Sequence, residues 1–325
     1  MSTEMTPLVS VLLITYNHEK YIARAIEGVL DQKTNFKTKL FIGEDCSKDN
    51  TREICIAYAK KFPETIELIC TETNNMRVNA YNIMTACAES GSKYIGFCEG
   101  DDYWLDPLKL QKQVDFLEAN PDFSMCFSEV EIKDELGRNW EYAMYFPDLG
   151  KDVFTTEDFI LSGMSIVPTP TLLCRNLFPD PVPQFFVARS GDIGIQIFMA
   201  DKGKAKRFSE KMAVYRDHSG GITKSKEHMA KSDDELMELF HLLNKYFGFR
   251  YNAIFRKRFF DNARVGLTFG IRNKKGIERI RHYFKVIPNY VKYSDKLNFK
   301  EIAYYHTLIF FPFILKLFKK SQDAV

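Results

Sequence analysis

Two adjacent carboxylates, Asp101 and Asp102, follow an apolar, strand-like segment and are the first residues in this chain that could do chemistry. Neighbouring residues of a strand point to opposite faces, so the two side chains could serve different partners, one a metal ion and the other a hydroxyl. Hard divalent cations such as Mg²⁺ prefer carboxylate oxygens. Taken alone, the pair fits a ligand site and a surface turn equally well.

Acidic residues at this position could also cap the helix that follows, and Asp106 is the best placed for that role. It precedes Pro107, which suits a first helical turn, and apolar residues then recur at helical spacing from Leu110 to Leu117. We therefore expect Asp106 to cap this helix, which leaves Asp101 and Asp102 without a structural role.

A second polar cluster is GEDCSKDNT, residues 43–51. Asp45 ends a strand-like segment, where its carboxylate could accept a hydrogen bond from a ligand N–H such as that of a pyrimidine N3. Asp49 is suited to capping the helix that follows. Tyr16 ends the first apolar segment and could present its ring to a base; an ordinary packed tyrosine is the alternative.

Strand-like and helix-like segments alternate through the first hundred residues. Apolar β-rich runs near residues 8–15, 39–45, 66–72 and 94–99 are separated by helical patterns, and Asn17 is expected to cap the first helix. This alternation predicts a mainly parallel α/β sheet flanked by helices, with right-handed crossovers. Ligands bind at the carboxyl ends of such strands, where the polar clusters fall.

Three successive segments, VSVLLITYNHEKYIARAIEGVLDQ, FIGEDCSKDNT and YIGFCEGDDYW, resemble the signatures of the family 2 glycosyltransferases. The similarity spans roughly residues 8–222. It implies the GT-A fold, a nucleotide-sugar donor that is usually UDP-linked, a divalent metal (Mn²⁺ or Mg²⁺) and inversion at the anomeric carbon.

The resemblance also assigns roles to residues around the donor. Thr15, Tyr16 and Asn17 would bind the donor, with Tyr16 stacked on the base, and Asp45 would bind the uracil N3 proton. Asp101 would approach the ribose or the donor sugar, and Asp102 would bind the metal. One departure from the family pattern is Gly100, since the family often has an acid two positions before the last one, with an acid or a small residue between them.

Further candidates follow from the same resemblance. Arg77 and Asn82 lie where the family commonly contacts the donor, although a solvated helix face explains them equally well. Asp192, in SGDIG, occupies the position of the catalytic base, which must remove the proton of the acceptor hydroxyl; helix capping is its alternative. His218, beside a glycine turn, would join the metal site or simply occupy the turn, and Arg216 would offset phosphate charge.

Composition divides the chain into two parts. Of its 325 residues, 45% are hydrophobic, which is enough for one or two domains. From Lys245 onward there are 18 Lys and Arg against 5 Asp and Glu, whereas residues 1–244 have 27 against 38. We predict a catalytic domain over residues 1–222 and a helical, basic and aromatic region over residues 223–325.

The basic region has three interpretations. It could lie on an anionic membrane surface, pack as an ordinary helical domain, or bind nucleic acid, the last being the one that we expect least. The apolar run Leu308–Leu315 is too short to span a bilayer, and three lysines follow it. Seven cysteines without a C-x-x-C pair, and no signal-peptide pattern, predict a cytoplasmic protein with reduced thiols, with peripheral membrane association as an open alternative.

The predicted function is therefore inverting transfer of a sugar from a nucleotide-diphosphate donor, a UDP-sugar foremost, to a hydroxyl of a glycan or lipid-linked acceptor in surface polysaccharide or glycan biosynthesis. The alternative is a non-catalytic protein that retains the fold and binds nucleotide sugars or assists assembly.

Overall fold

The computed structural model describes residues 6–137, 146, 150–187, 190–221, 226–274, 276–293, 302–303 and 305–307. The chain forms two compact units, residues 1–243 and 244–325. The division lies 21 residues beyond the boundary expected from the sequence, inside a helix that begins at Lys226.

The first unit is built on a mixed sheet. Its strands within the described ranges are β1 (Val9–Thr15), β2 (Thr38–Glu44), β3 (Ile66–Cys70), β4 (Tyr94–Glu99), β5 (Tyr103–Trp104), β6 (Phe123–Asp134), β7 (Val153–Phe154), β8 (Leu173–Arg175) and β9 (Lys204–Asp217). The order is β3-β2-β1-β4-β8-β6-β9-β5, and β7 pairs with β9. Strands β1 to β4 are parallel to one another, which confirms the predicted parallel α/β half, and β8 joins β4 antiparallel.

The helices of the described residues are α1 (Ile22–Leu30), α2 (Thr51–Lys61), α3 (Met76–Glu89), α4 (Lys109–Ala119), α5 (Thr156–Ser162), α6 (Gly191–Lys202), α7 (Lys226–Tyr246), α8 (Asn252–Asn273) and α9 (Gly276–Tyr293). The predicted helical C-terminal region is confirmed by α7 to α9. None of these helices combines the length and the hydropathy that crossing a membrane needs.

Continuous apolar runs bury both faces of the central strands. Val9, Val11 and Leu13 of β1 are completely buried, and they pack in one core with α1 and α4. Trp104 of β5 belongs to this core, and its indole N–H donates a hydrogen bond to the Pro170 carbonyl at 2.7 Å. The strand ends that carry the polar clusters are thereby fixed to a rigid sheet.

The residues expected to cap α1 and α4 do not occupy the cap positions of these helices. Asn17 does not cap α1, which begins at Ile22; it adopts a positive φ of 55°, and its side-chain oxygen accepts a hydrogen bond from the Lys48 amide at 2.8 Å. Helix α4 begins at Lys109, and the Asp106 carboxylate binds the Leu108 amide and the Lys112 ammonium. Five of the seven cysteines are buried as free thiols, as predicted.

Candidate metal and donor site

Asp101 lies between two imidazole rings at the carboxyl end of β4. Its Oδ2 is 3.0 Å from Nε2 of His218 and 3.6 Å from Nε2 of His18. One potential ligand atom from each of the three residues lies within 4.8 Å of the other two. One carboxylate with two imidazoles is a donor set that suits a divalent transition metal better than it suits Mg²⁺, which prefers oxygen ligands.

Three different strands bring this cluster together. His18 follows β1, Asp101 follows β4, and His218 follows β9. Gly100 allows His18 and Asp101 to approach each other, because a Cβ at position 100 would lie 2.6 Å from Cβ of Thr15 and 2.9 Å from Nδ1 of His18. The glycine that departs from the family pattern is therefore required by the close packing of the site.

The two aspartates have different environments. Asp102 is 2% exposed, and its Oδ1 accepts a hydrogen bond from the Arg216 amide at 2.8 Å. Arg216 precedes His218 by two residues, so Asp102 fixes the end of β9 from which His218 projects. Asp101, rather than the sequence-favoured Asp102, is the aspartate that faces the imidazoles.

The Arg216 guanidinium is engaged within the protein. It forms an ion pair with Glu135 at 3.1 Å, and it lies 5.0 Å from the ring centroid of Tyr21 and 4.8 Å from that of Tyr103. The Tyr21 hydroxyl donates to the same Glu135 carboxylate at 2.8 Å. These contacts give Arg216 a structural task beside the cluster in addition to the phosphate contact expected from the sequence.

Opposing effects set the protonation of the cluster. Burial alone would raise the pKa of Asp101, but the hydrogen bond from His218 and the charges of both imidazoles lower it overall. Burial lowers the pKa of His18, against the opposing charge of Asp101. A metal ligand set requires an ionised carboxylate and unprotonated imidazole nitrogens, and the lowered pKa values of Asp101 and His18 both favour that state. In His218, Nδ1 accepts from the Gly220 amide at 3.2 Å, so the neutral ring carries its proton on Nε2, facing Asp101.

Glu99 and Asp192 are close enough to interact. Burial, followed by the charges of Asp101 and Asp192, raises the pKa of Glu99 to about 8. Asp192 is half-buried in the first turn of α6. Gly191 permits this position, because a Cβ there would lie 2.7 Å from the backbone carbonyl carbon of Phe186.

Asp45 lies at the end of β2 and is 3% exposed. Its carboxylate accepts hydrogen bonds from the Thr71 hydroxyl at 3.0 Å, the Asn75 amide at 2.8 Å and the Asn74 side chain at 2.8 Å. A carboxylate has about four acceptor positions, so capacity for one ligand N–H remains. Tyr16 is half-buried at the end of the neighbouring β1.

The other residues expected to bind the donor lie in three different places: beside His18, at a cavity and on the exposed surface. Thr15 is buried, with its hydroxyl 3.2 Å from Nδ1 of His18. Arg77 lines a cavity of about 490 Å³, which Ser190 also lines. Asn82 is exposed on α3 and does not line this cavity.

His18 is the residue that sequence reasoning missed. Its signal was available, since it lies three residues after Thr15 in a strand-end cluster that was already suspected. The turn that returns its ring to Asp101 could not be inferred, because it depends on the positive φ of Asn17 and on the 2.7 Å hydrogen bond from the His18 amide to the Thr51 hydroxyl.

Comparison with known proteins bears on this arrangement. The sequence-family model named Glycosyl transferase family 2 matches residues 10–169 of this chain. These residues belong to glycosyltransferase family 2. The match includes β1, β2 and β4 with Asp45 and Asp101, whereas Asp192 and His218 lie beyond its end.

Individual relatives of this chain extend the similarity. An uncharacterized protein of Mycobacterium tuberculosis is 33% identical over 214 residues, covering 66% of this chain and 60% of that protein. The minor teichoic acid biosynthesis protein GgaA of Bacillus subtilis is 31% identical over 109 residues, which cover 33% of this chain and 24% of GgaA. The chain thus spans less than two thirds of the length of these relatives.

A solved structure supports the GT-A fold. The crystal structure of S. aureus TarS 1–349 in complex with UDP superposes with a TM-score of 0.59 at 16% identity, covering 88% of this chain and 81% of that one. At this identity the likeness establishes the fold: a mixed sheet flanked by helices, followed by a helical region.

Proposed function

We propose that this protein transfers a sugar from a nucleotide-diphosphate donor, a UDP-sugar, to an acceptor hydroxyl with inversion at the anomeric carbon. The observation that carries this proposal is the approach of Asp101 to two imidazoles at the carboxyl ends of the parallel strands, with Asp192 nearby. UDP in the TarS structure supports the choice of nucleotide.

Asp101, His218 and His18 would hold the divalent metal, and the imidazole ligands favour Mn²⁺ over Mg²⁺. When bound, the metal neutralises charge on the diphosphate leaving group. For Nε2 of His218 to serve as a ligand it must give up its proton, so we expect the Gly220 amide to move away from Nδ1 as the ion binds. Asp102 acts as a positioning residue by holding the end of β9.

Donor recognition is assigned to the ends of β1 and β2. Asp45 would accept the uracil N3 proton while its other hydrogen bonds hold the segment Thr71–Asn75, and Tyr16 would contact the base. Because that segment leads directly into α3, base binding would also steady the helix that carries Arg77.

Asp192 would act as the general base on the acceptor hydroxyl. A cavity of about 490 Å³, lined by Ser190 two residues before Asp192, would hold the acceptor; its wall also includes Arg77, Tyr81, Phe185, Glu238 and Leu242. This volume falls in the ordinary range for small-molecule sites, and two aromatic side chains together with several polar ones suit a sugar. The similarity to GgaA favours a cell-surface glycan or a lipid-linked precursor as the acceptor.

The decisive experiment measures UDP release from a panel of UDP-sugars with Mn²⁺ and with EDTA, in wild type and Asp192→Asn. We expect metal-dependent release by wild type and at least a 10³-fold loss in the variant, which should still bind UDP with Mn²⁺. UDP binding without release by wild type in the presence of any donor or acceptor would favour the non-catalytic alternative. Full activity in the variant would refute the assignment of the base.

A further inference from the structure

Helix α9, in the second unit, has two apolar faces, and the first is buried. Tyr283, Tyr290 and Tyr293 are 3%, 0% and 7% exposed. The first two pack in one cluster with Ala263 and Leu267 of α8. This face accounts for the cohesion of the α8–α9 pair, so the remaining apolar residues of α9 need another explanation.

The second face is a stripe of exposed apolar residues, which we call the α9 stripe: Ile277, Phe284 and Val291. These residues are 64%, 57% and 40% exposed. They recur every seven residues, which places them within about 40° of one another around the helix. Single exposed apolar residues are common on protein surfaces, but a row aligned over four turns is typical of an interaction face.

Basic residues border the α9 stripe on one side. Arg281, Lys285 and Lys292 are exposed, and the helical repeat places them about 40° to 80° from Ile277, in the same rotational direction. Glu278, also exposed, lies further around the helix. An apolar stripe with a basic border is the pattern of helices that lie in the membrane interface.

Charge distinguishes the two simplest occupants of this face. A second copy of the chain, docked through the same stripe, would bring two basic borders towards each other with no acidic row to offset them among the described residues of α9. An anionic lipid surface would neutralise the border while its acyl boundary accepts the apolar side chains. Each Lys or Arg near such a surface contributes roughly a fivefold gain in affinity.

We propose that the α9 stripe and its basic border form a docking surface for membranes rich in anionic lipid. The apolar side chains enter the headgroup and acyl boundary, and Arg281, Lys285 and Lys292 remain at the level of the phosphates. This surface is formed by described residues. It consists of other residues than the apolar run Leu308–Leu315, which suggested membrane association in the sequence and lies outside the described residues.

The test is sedimentation of the full chain with vesicles of phosphatidylcholine alone and with 30% phosphatidylglycerol, without donor or acceptor. We expect binding to the anionic vesicles only, weakened by salt. Phe284→Ser and Lys285→Glu should each reduce it at least fivefold. Leu136→Ser, at an apolar residue of the first unit that is 41% exposed, and Lys60→Glu, at an exposed lysine of α2, should bind like wild type.

Circular dichroism must show that all four variants are folded, which is expected because every altered side chain is at least partly exposed. Absence of binding to anionic vesicles at low salt would overturn the proposal, as would stripe variants that bind like the two controls. If the protein does not bind vesicles but self-associates, and Phe284→Ser abolishes the self-association, the α9 stripe would instead be a contact with a second copy of the chain. Because no sugar transfer is measured, failure here leaves the proposed enzymatic activity standing.

Discussion

Lys109 is completely buried in the first turn of α4, against Trp104, and replacing it with methionine gives a quantitative test of this core. Its ammonium donates to Oε1 of Gln113 at 2.9 Å and lies 4.1 Å from the ring centroid of Trp104. Burial lowers the pKa of Lys109 from 10.5 to about 7. Methionine has a similar length and no charge to bury.

The sign of the pH dependence follows from this lowered pKa. Between pH 7 and 10.5 the unfolded chain binds more protons than the folded chain, so the free energy of unfolding of wild type rises with pH across that window. A difference of about 3.5 pKa units corresponds to about 5 kcal/mol of destabilisation below pH 6. This destabilisation should decrease by about 3 kcal/mol between pH 6 and pH 9 as the buried ammonium loses its proton.

Lys109→Met should remove this dependence. The variant leaves Oε1 of Gln113 without its donor, which costs about 1–3 kcal/mol at every pH. We therefore expect Lys109→Met to be about 2–4 kcal/mol more stable than wild type at pH 6 and within about 1 kcal/mol of wild type at pH 9. The assay is urea denaturation at pH 6, 7.5 and 9, followed by circular dichroism. Lys112→Met is the control, because the Lys112 ammonium is 40% exposed and pairs with Asp106 at the surface.

The informative quantity is the difference in unfolding free energy between variant and wild type as a function of pH. A fall of about 3 kcal/mol from pH 6 to pH 9 for Lys109→Met, with less than about 1 kcal/mol for Lys112→Met, would support the account. If the free energies of unfolding of wild type and Lys109→Met change with pH in parallel, the pKa of Lys109 is not lowered, because Lys109 would then stay charged without cost in the folded protein.

Two further predictions test the packing around the site. Gly100→Ala should weaken Mn²⁺ binding at least tenfold in a calorimetric titration, because the new Cβ would displace Thr15 and His18; Gly137→Ala, at a positive φ with open space around it, should cost about 1 kcal/mol in thermal melting without affecting the metal. Ellman's reagent should react quickly with Cys46 and Cys70 only, which are half-buried and exposed, and slowly with the five buried thiols; fast reaction of all seven in the folded protein would contradict this core.

The parallel half of the sheet could be predicted from the sequence because its determinants are local. Each of β1, β2 and β4 is an apolar run followed by polar residues, and that pattern alone places Asp45 and Asp101 at one edge. The first residues of the helices were harder to predict from the sequence. The sequence cannot show that Asn17 turns to bind the Lys48 amide, a residue 31 positions away, instead of capping α1.

The choice between Asp101 and Asp102 also lay beyond the sequence. Alternation along a strand predicts that the two carboxylates face different partners, and they do. Which one faces the imidazoles depends on the pairing of β5 with β9 and on the hydrogen bond from the Arg216 amide to Asp102, contacts between residues more than a hundred positions apart. Such long-range contacts leave no local pattern, so the sequence alone does not select which of the two carboxylates faces the imidazoles.

Calorimetric titration of UDP, with and without Mn²⁺, into wild type, Asp101→Asn and Asp102→Asn tests directly whether Asp101 is a metal ligand. Asp122→Asn is the control, since Asp122 is 57% exposed and pairs with Lys204. We predict that Asp101→Asn loses the Mn²⁺-dependent gain in UDP affinity by at least tenfold, whereas Asp102→Asn, which can still accept the Arg216 amide, retains most of it. The reverse order, or an equal loss in both variants, would contradict Asp101 as the metal ligand.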